Sequence, residues 1–215
     1  MQLFIGLTFK ASTHSFQKID SFRRRFDSKY EKTDLLQMTL LPPFSVDSMT
    51  NHEFEEFVDL CAEDLESNFI GHDQPLDVDF KGFDFQTGKK NVLFLKPVLP
   101  VDLFYAQEVL KDAVKKARGV FHKHKNLGHN GLDDLQTFLP IGRGDDPQLL
   151  AMAVEKAQVE FGHAPFQMES QDIVLFEKIP GRWIPRQILY SFNTTNAYAE
   201  KEDLPFSTMK TPVNL

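Results

Sequence analysis

The segments Thr39-Leu40-Leu41-Pro42 and Thr137-Phe138-Leu139-Pro140 decide how this chain of 215 residues is read. Each is a threonine followed by apolar residues and stopped by proline, and the two threonines, at 39 and 137, lie 98 positions apart. Before the first, Phe16, Ile19, Phe22 and Phe26 recur at helical spacing, with Arg23, Arg24 and Arg25 near the C-terminal end. Leu35 to Leu41 reads as a short buried strand that Pro42-Pro43 should stop. After it, Thr50-Asn51-His52-Glu53 has capping-box spacing and opens a helix with Phe54, Phe57, Val58, Cys61 and Leu65 on one face. Pro75 then opens an alternating strand through Leu76, Val78 and Phe80 towards Phe85. Thr87-Gly88 turns it, and Asn91 to Val98 returns.

The same order surrounds the second segment. Leu103, Ala106, Leu110, Ala113, Val114 and Ala117 form a helical face, closed in this reading by Gly119. A polar loop rich in His and Gly leads to a strand from Leu135 to Leu139, stopped by Pro140. Asp146-Pro147 caps a helix carrying Leu149, Leu150, Ala153, Val154, Ala157 and Phe161, with Gly162 past its end. Pro165 opens a strand pair turned at Pro180-Gly181 and ending near Phe192. With residues 2–9 as an opening strand, the order is strand, then helix-strand-helix-strand-strand twice. Agreement of five elements in order carries far more weight than four matching letters, and it implies an internal duplication.

The expected fold class is therefore α+β: two duplicated α-β-α-β-β lobes, related by a pseudo-twofold axis, with a central cleft between mostly antiparallel sheets. The lobes run roughly 10–98 and 102–192, strand 2–9 is added to them, and 193–215 is a polar tail outside the single bilobal domain of 1–192.

Composition narrows the function. Hydrophobic residues make up 41% and Phe occurs 21 times, so a packed core filled with rings is expected. The net charge of −7 argues against a general DNA-binding coat, though not against a local basic groove. Cys61 is the sole cysteine, so no internal disulfide forms, which fits a reducing compartment. The first residues lack a basic leader and their apolar run breaks at Lys10. No run approaches the roughly 20 apolar residues of a membrane span. A cytoplasmic location without membrane contact is expected.

The opening Gln2-Leu3-Phe4-Ile5-Gly6-Leu7, the two threonine segments, Pro42-Pro43-Phe44 after the first and Pro140-Ile141-Gly142 after the second together resemble the two-histidine (2H) phosphoesterase superfamily. That superfamily includes 2′-5′ RNA ligase-like proteins and cyclic nucleotide phosphodiesterases. The resemblance covers residues 2 to about 192, and Ser21-Phe22-Arg23-Arg24-Arg25-Phe26-Asp27 adds to it. It implies a His-x-Thr-apolar motif in each half, a phosphate held between them, one His as general base and the other as general acid. Here Gln37 and Leu135 stand at the two expected histidine positions. None of the seven histidines is followed two residues later by Thr or Ser, so a one-residue offset does not restore either motif. Gln does not exchange protons near neutral pH, and Leu has no polar group at all. This departure should remove the hydrolytic activity that the resemblance implies and leave a pseudoenzyme; no cofactor or metal is expected.

The candidate ligand-binding residues are Thr39, Thr137, Gln37 and Arg143: hydroxyl and amide donors, with a guanidinium just past the second segment. Their partner would be a nucleotide, cyclic nucleotide or RNA phosphate end. Arg182, Trp183 and Arg186 on the last hairpin offer base stacking, weighed against simple hairpin packing. His122-Lys123-His124 and His129 invite a metal or replacement-acid reading, which Lys123 and Lys125 oppose electrostatically. Arg23, Arg24 and Arg25 read as a solvated helix face and Cys61 as a core residue. Two alternatives stand beside the binding reading: a protein-interaction scaffold with a filled cleft, and a phosphodiesterase with relocated catalytic groups.

Overall fold

The computed structural model describes residues 1–32, 35–46, 49–69, 74–87, 91–121, 137–162 and 165–192. The elements are β1 (Gln2–Phe9), α1 (His14–Phe26), β2 (Gln37–Ser45), α2 (Asn51–Asn68), β3 (Asp77–Gln86), β4 (Asn91–Val98), α3 (Val101–Phe121), β5 (Leu139–Gly144), α4 (Pro147–Phe161), β6 (Phe166–Ile179) and β7 (Arg182–Ser191). After β1 the order α-β-α-β-β is run through twice, as the repeat implies. Local chemistry sets the boundaries. Thr13 caps α1 by accepting from the Phe16 N–H. Thr50 and Glu53 form both hydrogen bonds of the capping box on α2. Asp146 caps α4 with Pro147 in its first turn. Gly181, at φ +85°, turns the β6–β7 hairpin in a conformation that a side chain would strain.

The strands form one seven-stranded antiparallel sheet in the order β2-β1-β6-β3-β4-β5, with β7 also on β6. β6 is the spine. One edge carries β1; the other carries β3 along Phe166 to Glu169 and then β7 from Asp172 onward. Between Leu7↔Ile173 and Phe9↔Ser170, β6 takes three steps to two on β1, a bulge that bends the spine where β3 gives way to β7. Two wings result. β2 and β1 join the β6–β7 hairpin, and β5 joins the β3–β4 hairpin. Each threonine segment thus lies in the wing that holds the other half's hairpin. The helices follow the same exchange: α2 packs on α3, and α1 on α4.

Three boundaries differ from the sequence expectation. β2 runs on through Pro42 and Pro43 to Ser45. It is an edge strand bonded only to β1, so a proline lacking an N–H can face outward. A register shift between Leu3↔Phe44 and Ile5↔Leu41 absorbs the pair. β5 begins at Leu139, where the expected strand ends, and runs through Pro140 to Gly144; it is likewise an edge strand. α3 does not close at Gly119 but continues to Phe121. A mid-helix glycine costs only about 1 kcal/mol relative to alanine and does not by itself terminate a helix.

Side-chain alternation separates a core face from a cleft face. Leu3, Ile5, Leu7, Met38, Leu40, Leu139, Ile141, Ile173 and Leu175 are fully buried against the helices. Phenylalanines knit the layers, with Phe22 against Phe26 and Phe161, and Phe80 against Phe9 and Phe166. Cys61 belongs to this core, and burial foremost, helped by the charge of Asp64, pushes its thiol up to about 12. The folded protein is therefore expected to resist thiol reagents at pH 8, with one equivalent reacting only on unfolding in urea. Rapid labelling of the native protein would contradict this packing.

Candidate functional site

On the face away from the helices, the two wings border an open cleft of about 550 Å³. Phe4 lines its floor, backed by the buried side chains of Val174 and Phe176, with which it forms a small apolar cluster. Phe4 stacks on Phe176 at 4.6 Å between ring centroids and meets Trp183 edge-on at 4.8 Å. Gly6 leaves room for these rings. A Cβ there would come within 3.1 Å of the Phe4 ring and 3.2 Å of the Phe176 ring.

Gln37 and Thr39 lie two apart on β2, so both face the cleft while Met38 and Leu40 face the core. Among the described residues nothing hydrogen-bonds the Gln37 amide or the Thr39 hydroxyl. Across the cleft the second segment contributes Phe138 and Pro140, with Arg143 further along β5. Thr137 does not line the cleft. Its Oγ1 accepts a 2.6 Å hydrogen bond from Nε2 of Gln107 on α3, which also donates to the Leu40 carbonyl at 3.0 Å. The two segments alternate out of phase: the cleft-facing positions are 37 and 39 in one, 138 and 140 in the other. Leu135 and Gln136 lie outside the described residues, as do His122, His124, His129 and the tail.

Gln107 was not singled out by the sequence, where it reads as one polar residue on an apolar helix face. It is buried and ties β2 to the start of β5. Gln107→Leu leaves a buried carbonyl and a hydroxyl without their donor. About 1–3 kcal/mol of stability should be lost in urea titration.

The charge pattern is one-sided. Lys29, Arg143, Lys178 and Arg182 line the cleft, and no aspartate or glutamate does so among the described residues. Lys178 lies over the Trp183 ring at 5.8 Å. Arg182 has no ion-pair partner among the described residues. Arg186 points elsewhere, to Glu177 and over the Phe54 ring. Behind Arg143 lies a buried charged set. Asp27, its side chain fully buried, sits 3.6 Å from Nη1 of Arg143 and 3.5 Å from Nη2 of Arg23. Its Oδ1 accepts the Lys29 N–H at 3.0 Å, and the Arg143 carbonyl accepts the Ser28 N–H. Arg23 is therefore not solvated as its run of three suggests; it is 3% exposed, while Arg24 pairs with Asp20 and Arg25 with Glu160. The i,i+4 spacing of Arg23 and Asp27 was the available signal. Burial foremost lowers the pKa of Arg143; Asp27 pulls it back up and Arg23 adds to the lowering.

No group of three or more metal-ligating side chains occurs among the described residues. No described helix is long and apolar enough to cross a membrane.

No protein-family model matches the chain, and no curated protein matches it. Among solved structures, TT0787 of Thermus thermophilus aligns over 90% of this chain and 98% of its own, with a TM-score of 0.50 and 15% identity. A crystal structure described as that of a phosphoesterase aligns over 88% of this chain and 97% of its own, with a TM-score of 0.47 and 12% identity. At these identities the likeness to TT0787 is one of fold. The protein is an α+β protein of that fold, with a basic cleft free of carboxylates among its described lining.

Proposed function

We propose that the cleft binds a phosphate-bearing nucleotide or RNA end and holds it without hydrolysis. The observation that carries this reading is the coincidence of four cationic side chains with an amide and a hydroxyl, Gln37 and Thr39, that have no hydrogen-bond partner among the described residues, over an aromatic floor. Cations and neutral donors match phosphate oxygens. Trp183 and Phe138 offer π-faces for a base. Hydrolysis of a phosphodiester would call for positioned acid and base groups, each worth about a hundred- to ten-thousand-fold in rate. The described lining offers neither histidine nor carboxylate, and Gln37 cannot serve. The resemblance to the two-histidine superfamily supports the location of the cleft, and Gln37 and Leu135 at its expected histidine positions support the absence of hydrolysis. An open basic cleft gives the filled-cleft scaffold no support.

Trp183, the only tryptophan, makes the test direct. Its fluorescence is followed while nucleoside monophosphates, cyclic nucleotides and phosphorylated oligoribonucleotides are added, and the mixtures are then assayed for product. Saturable quenching with no product is expected. Silence across the panel from folded protein would overturn binding, and turnover would overturn the pseudoenzyme reading.

A further inference from the structure

Resting on that reading, we infer that the cleft selects a terminal phosphomonoester, a dianion, over the monoanionic cyclic or internal phosphodiester. Charge is what separates the two. The chain carries a net −7, yet the cleft gathers Lys29, Arg143, Lys178 and Arg182 with no carboxylate in its described lining. Behind Arg143, one carboxylate, Asp27, is shared by two guanidiniums, and the Arg23 Nε is buried without a hydrogen-bond partner. That buried set holds one uncompensated positive charge. Arg143, its side chain 23% exposed, presents it to the cleft. A phosphodiester offers a single negative charge to this surplus. A phosphomonoester offers about 1.5 to 2 near neutral pH, because its second pKa is about 6, together with three strong acceptor oxygens. In a partly desolvated cleft the added charge is worth more than in bulk water. A cleft whose described lining offers no histidine or carboxylate gains nothing from a scissile bond there, but loses nothing by holding a phosphate end.

The ligand is then a nucleoside with a free phosphate, alone or at an RNA terminus. The phosphate's own titration distinguishes it. The described lining has no histidine or carboxylate, the groups that ordinarily titrate between pH 5 and 8. Changes of affinity in that range then report the ligand. Trp183 quenching by 3′-AMP, 5′-AMP and 2′,3′-cyclic AMP is measured at pH 5 and pH 8, with oligoribonucleotides ending in a 3′-phosphate or a 2′,3′-cyclic phosphate as a second pair. At pH 8 a monoester is expected to bind at least about tenfold more tightly than the cyclic diester. At pH 5, below the second phosphate pKa of about 6, the preference should shrink to within about threefold. Lys178→Gln with Arg182→Gln, both exposed positions, should flatten the preference without changing the melting temperature. Comparable affinities for both ester classes at pH 8 would overturn the inference while leaving the binding cleft intact. No quenching by any of them would overturn both. Preference for the oligonucleotide pair over free nucleotides would assign the phosphate to an RNA end, and the reverse to a free nucleotide.

Discussion

Asp27→Ala is expected to lose about 3–5 kcal/mol of stability, a large share of the roughly 5–15 kcal/mol available to a domain. The loss comes less from the ion pairs themselves, which are long at 3.5 and 3.6 Å, than from what is left behind. Arg23 is buried at 3% exposure and already lacks a partner for its Nε. Without Asp27, two neighbouring guanidiniums face each other with no counter-charge, and the Lys29 N–H loses its acceptor. Asp27→Asn should recover part of the loss, since it keeps the acceptor but not the charge. Urea unfolding measures both variants. Sulfate or phosphate should restore Asp27→Ala more than it stabilises the parent chain, because an anion can replace the missing carboxylate between the arginines. A loss below about 1 kcal/mol would mean that water already satisfies these guanidiniums.

The second large effect is on binding. Lys178→Glu combined with Arg182→Glu should weaken any phosphate ligand by at least about a hundredfold, or about 2.7 kcal/mol, because two attractive charges become repulsive ones at the mouth of the cleft. Both side chains are exposed on the β6–β7 hairpin, so the fold should survive, as circular dichroism and melting would register. The control is Lys115→Glu with Lys116→Glu, on the exposed face of α3 and outside the cleft lining. It makes the same change in net charge. If both double variants weaken binding alike, the overall field of the protein and not the cleft holds the ligand. If only the hairpin variant does, the cleft is the site.

Part of this site was legible beforehand because its signals are periodic. A strand alternates every second residue, so Gln37 and Thr39 belong to one face whatever surrounds them, and both line the cleft. Arg143 was found from its place just past the second segment, and it too lines the cleft. Thr137 marks the limit of periodicity. The two segments match letter for letter at Thr, Leu and Pro, but β2 and β5 pair with different neighbours in different registers. A one-residue change of phase sends a side chain to the opposite face. Thr137 meets Gln107, and Phe138 takes the cleft. Lys29 and Lys178 carry no local signature, because a lysine after a helix or near a strand end is ordinary until the fold closes around it. Arg23 was legible through its i,i+4 spacing to Asp27, a signal that its place in a run of three arginines obscures. Of the three, Arg23 is the one buried where α1 packs against β5.

The sequence by itself determined most of the elements, their doubled order and the absence of histidine from both threonine segments, because these rest on local propensity, periodicity and residue identity. Only the tertiary structure decided which wing each segment joins, which parity of β5 faces the cleft, and that basic side chains of a net-acidic chain converge on one cleft from both wings. Those outcomes depend on strand register and on contacts between residues more than 100 positions apart, such as Phe4 with Phe176 and Asp27 with Arg143. Local sequence does not encode such long-range pairings, because each is selected by the packing of the whole sheet.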